Sequence, residues 1–179
     1  MFDLWAPEHS VLREKVFEHA FLTELSKALL LDLRTPFAVL RAEFDGFGYD
    51  LAVEARGVLR RVQLKATRIG GKRSSVDIAT TLAEQPGGCV VWFLVDEHTL
   101  AIGPFYWLGG PPGGRMPPLG DRLARHARGG GERAALRQVL RGKFTKMETI
   151  GEVAVAMFGR GDQEHNGARL GARVSLPAT

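Results

Sequence analysis

Apolar residues set the first element by their spacing. Phe17, Phe21, Leu25, Ala28 and Leu29 recur at helical intervals. Ser10 can cap a helix beginning near Val11, and Pro36 disfavours helical geometry at Thr35. One long amphipathic helix is therefore predicted over 11–33. Three strands should follow, over 37–43, 49–55 and 58–67. Gly46-Phe47-Gly48 forms the turn before the second strand, and Arg56-Gly57 joins the second to the third. A basic loop is expected over 69–74 and a short fourth strand over 76–79. The unbroken run Cys89-Val90-Val91-Trp92-Phe93-Leu94-Val95 reads as a buried strand, paired in a hairpin with 99–108 across the turn Asp96-Glu97-His98.

Beyond this the pattern loosens. Glycine and proline dominate 109–120, which must be a loop. Residues 121–128 and 132–140 read as helices separated by Gly129-Gly130-Gly131. Phe144 ends a short extended piece. Thr149 can cap a last helix to Phe158, with Gly159 just past its end. Residues 160–179 are polar and aperiodic and are expected to be a disordered tail after a single domain over 1–159.

Composition narrows the class. The chain has 179 residues, 45% hydrophobic and 25% charged, the balance of a globular protein with a core of useful size. Lys and Arg total 24 against 20 for Asp and Glu, a mild excess compatible with a nucleic-acid partner. The single cysteine, Cys89, lies in the apolar run and reads as a buried structural thiol; alone it excludes an internal disulfide or a multi-cysteine zinc site. Met1-Phe2-Asp3-Leu4-Trp5 lacks a basic-then-apolar leader. The apolar segment 21–33 is too short and too charged to span a bilayer, so a cytoplasmic location is expected.

The two central strands carry the candidate chemistry. Alternation places Asp50, Ala52 and Glu54 on one face of the second strand, and Arg61, Gln63, Lys65 and Thr67 on one face of the third, with Val62, Leu64 and Ala66 opposite. This predicts a two-sided hairpin with one apolar side, the other bearing a carboxylate, an amide and an ammonium. Polar groups in mid-sheet need partners, and a magnesium site supplies a reason for them. Asp50 can provide a carboxylate, and the Gln63 amide oxygen or the Leu64 carbonyl a further oxygen. Lys65 can hold or polarise the attacking water in metal-assisted hydrolysis.

A glutamate on a helix, Gly48-Tyr49-Asp50 opening a strand, and Gln63-Leu64-Lys65 on the next resemble the PD-(D/E)XK nuclease superfamily. Ala66-Thr67 also resembles its many bacterial members with Gln-x-Lys closely followed by Ser or Thr. The resemblance covers about residues 11–108, and 144–159 is similar to the family's closing helix. It implies an α/β, restriction-endonuclease-like core, α-β-β-β-α-β, with a mixed central sheet flanked by helices. It further implies cleavage of DNA, less readily RNA, dependent on magnesium or manganese, and in many relatives a homodimer. Restriction enzymes and Holliday-junction resolvases are members. The family's proline before Asp50 is absent, and Gln63 stands where a carboxylate is frequent, which removes a charge. The helix glutamate, which with Asp50 and Gln63 would form the metal environment, is assigned to Glu18, on the apolar stripe, ahead of Glu14 and Glu24.

Simpler readings exist for each residue. Asp50 alone fits a turn, and Lys65 alone fits a sheet edge. Arg61, Arg68, Lys72 and Arg73, with Arg60, can neutralise phosphates or form an ordinary solvated face. Arg122, Arg125, Arg128, Arg133, Arg137 and Arg141 read as a solvated helix, with a DNA-facing arm as the other reading. Two functions follow: a metal-dependent nuclease, or a catalytically inactive module on the same fold that binds nucleic acid or a protein. Magnesium-dependent turnover requiring Lys65 separates them.

Overall fold

The computed structural model describes residues 2–41, 48–125 and 131–160. After a single 3₁₀ turn at Pro7–His9, α1 runs over Ser10–Lys27 and widens into a π-helical turn at Ala28–Asp32. Its N-cap is His9, without a side-chain capping bond, so Ser10 is the first helical residue and not the cap. The buried stripe Phe17, Glu18, Phe21 and Leu25 continues into Ala28 and Leu29, as the spacing predicts.

Strands β1 (Phe37–Leu40), β2 (Leu51–Ala55) and β3 (Val58–Arg68) form an antiparallel meander. The chain leaves it through β4 (Ser75–Ala79) and the short helix α2 (Thr80–Glu84). It returns as β5 (Gly88–Val95), parallel to β3, and β6 (Ile102–Gly109) pairs antiparallel with β5. Further on come β7 (Leu123–Arg125), β8 (Glu132–Leu140), β9 (Thr145–Met147) and α3 (Ile150–Phe158). The main sheet is mixed, in the order β1-β2-β3-β5-β6-β9, and β4-β8-β7 make a second sheet. With β4, which pairs in the second sheet, set aside, the succession α1, β1, β2, β3, α2, β5 follows the α-β-β-β-α-β order implied by the resemblance.

Both faces of the main sheet are covered, which explains the apolar run in β5. Cys89, Val91, Phe93 and Val95 pack with α1 and α3, whereas Val90 and Trp92 pack with Val76, Ile78, Leu82, Val139 and Phe144. Part of the expected polar face of the β2–β3 hairpin is thus also interior. Ala52, Gln63 and Thr67 are buried there, and Thr67 Oγ1 accepts a bond from the Trp92 indole at 2.9 Å.

Two expectations fail in the C-terminal third. Residues 132–140 form β8 and not a helix, and 123–125 form β7 and not part of one. Ala, Leu, Arg and Gln favour helix weakly, and pairing overrides them. Val139 lies opposite Val76 and Arg137 opposite Ile78, so β8 closes the second core. The closing helix forms as read. Thr149 Oγ1 accepts from the Glu152 N–H at 3.2 Å and Glu152 reaches back to the Thr149 N–H, a reciprocal cap. The expected tail lies outside the described residues but for Arg160. So do Arg128 and residues 42–47, which hold the end of the first predicted strand and most of the predicted turn. Among the described residues, no helix is long and apolar enough to cross a membrane.

Candidate functional site

A cleft of about 600 Å³ opens between α1 and the ends of β2 and β3, lined by Glu14, Glu18, Asp50, Leu64, Lys65 and Arg73, with Trp5 at one side. Its geometry begins at Gly48. That residue has φ +75°, which favours glycine, and a Cβ there would collide with the Ala79 side chain. The chain can therefore pass against β4 and deliver Asp50 just before β2.

Asp50 N–H donates to the Val62 carbonyl at 2.9 Å, prolonging the ladder by one residue. Its carboxylate then reaches further along β3, where Oδ2 accepts the Leu64 N–H at 2.6 Å. The β2–β3 pairing ends at Leu51 opposite Val62, so Leu64 has no β2 residue across from it. The N–H and C=O of one strand residue point to the same edge, so the Leu64 carbonyl faces the Asp50 side too.

The electrostatics follow from burial. Although Asp50 opens to the cleft, the crowding walls strip water from its carboxylate and raise its pKa. The Leu64 N–H and the Lys65 charge oppose that rise, and the charges of Glu18 and Glu14 add to it. Burial lowers the Lys65 pKa; Asp50 works against this, and Arg73 with it. The pair is held where each charge needs the other or a counterion.

The other predicted residues are distributed unevenly. Glu18 is buried at the cleft with both oxygens engaged. Lys15 Nζ donates to Oε2 at 2.8 Å, and Arg41 Nη2 lies 2.9 Å from Oε1, ion-paired but not aligned for a hydrogen bond. Glu14 lines the cleft, whereas Glu24 lies elsewhere, paired with Lys27 at 2.7 Å. Gln63 is buried and does not line the cleft, and its Oε1 has no hydrogen-bond partner.

Of the four phosphate-binding candidates, only Arg73 lines the cleft. Lys72 is exposed beside it in the chain. Arg61 donates to the Pro86 carbonyl at 2.7 Å, and Arg68 pairs with Glu97 at 2.7 Å. Arg60 is wholly buried. It donates to the carbonyls of Met157 (2.7 Å), Gly110 (3.0 Å) and Ala156 (3.1 Å), so it holds the C-terminus of α3. It shares parity with Val62 and Leu64 on β3, a signal that it belonged to the apolar face.

Among the described residues, no group of three or more His, Cys, Asp or Glu could hold a metal. The donors present fit a single hard cation. They are one desolvated carboxylate on Asp50 and the carbonyl edge at Leu64, with water and substrate left to supply the rest; the Gln63 amide oxygen, buried and not lining the cleft, is not among them. Sequence reasoning missed Arg41, which pairs with Glu18, and Trp5, which walls the cleft; neither stands in a motif.

No family model matches this chain, and no curated protein sequence is similar to it. In fold it is similar to Hjc, a Holliday junction resolvase from the archaeal hyperthermophile Archaeoglobus fulgidus. The likeness has 17% identity and a TM-score of 0.42, over 78% of this chain and 98% of that one.

Proposed function

We propose that the chain is a metal-dependent nuclease that hydrolyses phosphodiester bonds of DNA. The observation that carries this reading is the junction of Asp50 and Lys65. A carboxylate is fixed by the Leu64 N–H at 2.6 Å in the same cleft as a partly desolvated ammonium. A structural ion pair would have no need of a cleft of about 600 Å³, nor of Gly48 to deliver the carboxylate into it.

In this reading Asp50 and the Leu64 carbonyl would hold magnesium. When bound, the ion would polarise a phosphoryl oxygen and make a coordinated water easier to deprotonate. The Leu64 N–H orients the carboxylate. Lys65 offsets negative charge gathering on the phosphate and positions the attacking water. Arg73 at the cleft wall neutralises a substrate phosphate, with exposed Lys72 beside it. Glu18 sets the field of Asp50 from behind, its own charge balanced by Lys15 and Arg41.

A second reading, a binding module without turnover, is favoured by that engagement of Glu18, which leaves Asp50 and Glu14 as the cleft carboxylates outside an ion pair with a described residue. The two part in one experiment. Magnesium is titrated calorimetrically into wild type and Asp50→Asn, and wild type and Lys65→Ala are assayed on branched, duplex and single-stranded DNA. The nuclease reading requires binding that Asp50→Asn abolishes and cleavage that Lys65→Ala abolishes. Unchanged magnesium binding by Asp50→Asn, or full cleavage by Lys65→Ala, would overturn it.

A further inference from the structure

Charge is distributed very unevenly. Residues 115–146 hold nine Lys and Arg against two Asp and Glu, leaving fifteen against eighteen in the rest of the chain. The mild net excess is thus the difference between a strongly basic segment and a slightly acidic remainder. The basic segment runs from the loop that leads into β7 through β7 and β8 to the start of β9. Its first two strands complete the β4-β8-β7 sheet, which stands outside the main sheet.

Several of these cations have no role in the fold. Arg115, Arg122, Arg125 and Lys143 are exposed and make no ion pair with a described residue. Arg133, in register with Ala124, has only a loose 4.0 Å approach to Asp77. Like charges crowded on one small sheet and the segments flanking its strands repel one another, a cost that a polyanion would relieve.

The sheet is tied to the cleft. Arg141, at the end of β8, donates its N–H to the Ser74 carbonyl at 2.8 Å and its guanidinium to the Arg73 carbonyl. That guanidinium lies 4.7 Å from the Trp92 ring centroid and 5.3 Å from that of Tyr106, a rigid seat. Arg73, which lines the cleft, is therefore anchored to the basic sheet by its own backbone. The positive surface runs from the cleft wall through the 72–73 loop to β8 and β7.

We propose that the β4-β8-β7 sheet is an arm that binds the phosphate backbone of a nucleic-acid duplex beside the cleft; this rests on the reading of the cleft as a nuclease site. A duplex fits better than a single strand. Single-strand sites stack bases on aromatic rings, and none of the large exposed hydrophobic side chains among the described residues of the arm is aromatic. Phosphate contacts position a duplex without reading its sequence.

The test compares R115Q/R122Q/R125Q with wild type and with a control, K27Q/R34Q/R160Q, which removes equal charge from elsewhere. Binding of a short DNA duplex is followed by fluorescence anisotropy in EDTA over a salt series, after melting curves show that all three proteins fold. Each lost phosphate contact should flatten the slope of log affinity against log salt by about 0.9, so the arm variant should lose roughly two to three units of slope. The control should keep the wild-type slope. An unchanged slope in the arm variant, an equal loss in the control, or no duplex binding by wild type would overturn the proposal. Because EDTA prevents turnover, the arm is read independently of cleavage. A slope lost only in the arm variant, together with no magnesium-dependent cleavage by wild type, would leave the arm standing and remove the nuclease reading.

Discussion

Replacing Arg60 by methionine should destabilise the protein by about 2–4 kcal/mol, the balance of opposed effects. The guanidinium is fully buried and makes three hydrogen bonds to carbonyl oxygens at 2.7–3.1 Å. Such charge-assisted bonds contribute about 1.5–3 kcal/mol each. Burying the charge costs several kcal/mol, which methionine recovers. What methionine cannot restore is a donor for the Met157 carbonyl, on a buried residue of α3, and an unmet buried acceptor costs about 1–3 kcal/mol. The favourable cation at the helix C-terminus is lost as well, at about 0.3–2 kcal/mol. The Ala156 and Gly110 carbonyls belong to half-buried residues and can turn to water. For a domain of this size, 1 kcal/mol moves Tm by roughly 2–4 °C, so a fall of roughly 5–15 °C is expected. Urea melts give the free energy, and hydrogen exchange should show the α3 amides losing protection first. Arg60→Lys should rescue little, because an ammonium lacks the fork that spans three carbonyls. Arg60→Met melting at or above the wild-type temperature would mean that desolvation outweighs the bonds, refuting the assigned anchoring role.

Other expectations follow from the cleft and the core. Burial raises the Asp50 pKa, so its proton competes with metal at a higher pH than for an ordinary aspartate; magnesium affinity measured against pH should fall on acidification through that raised pKa. The same shift makes the ionised form costly to the fold, so in metal-free protein this group's contribution favours folding at low pH and is lost as pH rises through the folded pKa. Burial lowers the Lys65 pKa, so cleavage should decline on the alkaline side before an ordinary lysine would titrate, and an alkaline limb at the ordinary lysine position would contradict that. Gly48→Ala should cost at least ~1 kcal/mol in a denaturant melt, from the left-handed backbone alone, and should weaken magnesium binding by displacing Asp50. Cys89 is buried and its thiol is pushed up to about 12, so a thiol reagent should label the native protein only as fast as it unfolds.

The sequence displayed some of this architecture and hid the rest for identifiable reasons. The β5 run was readable because strands covered on both faces need no polar alternation. The closing helix was readable because Thr149 and Glu152 form a local cap, and Gly48-Tyr49-Asp50 because a backbone constraint leaves a glycine behind. Residues 132–140 misled because their composition suits a helix, while their partner, β4, lies 65 positions away at the Ser75–Leu140 pair. The polar residues of β3 misled differently. Alternation puts Gln63 and Lys65 on one face, yet Gln63 is sealed under the second sheet while Lys65 lines the cleft beside Leu64 and Ala66. The strands that cover that face announced themselves only as scattered arginines.

Long-range closure also sets the order in which the chain can be completed at the ribosome. Translation at about 5–20 residues per second leaves roughly 3–13 s between synthesis of Ser75 and of its partner Leu140, and roughly 5–20 s between Arg60 and Met157. During that interval the meander has its cleft residues but neither the arm that seals one face nor the helix end that accepts the buried guanidinium. The nascent chain thus exposes the edge of β4 and the apolar faces of β3 and β5 until nearly all 158 residues through α3 have emerged. Its yield in a cell should therefore respond to translation speed and chaperone supply more than its final stability would suggest.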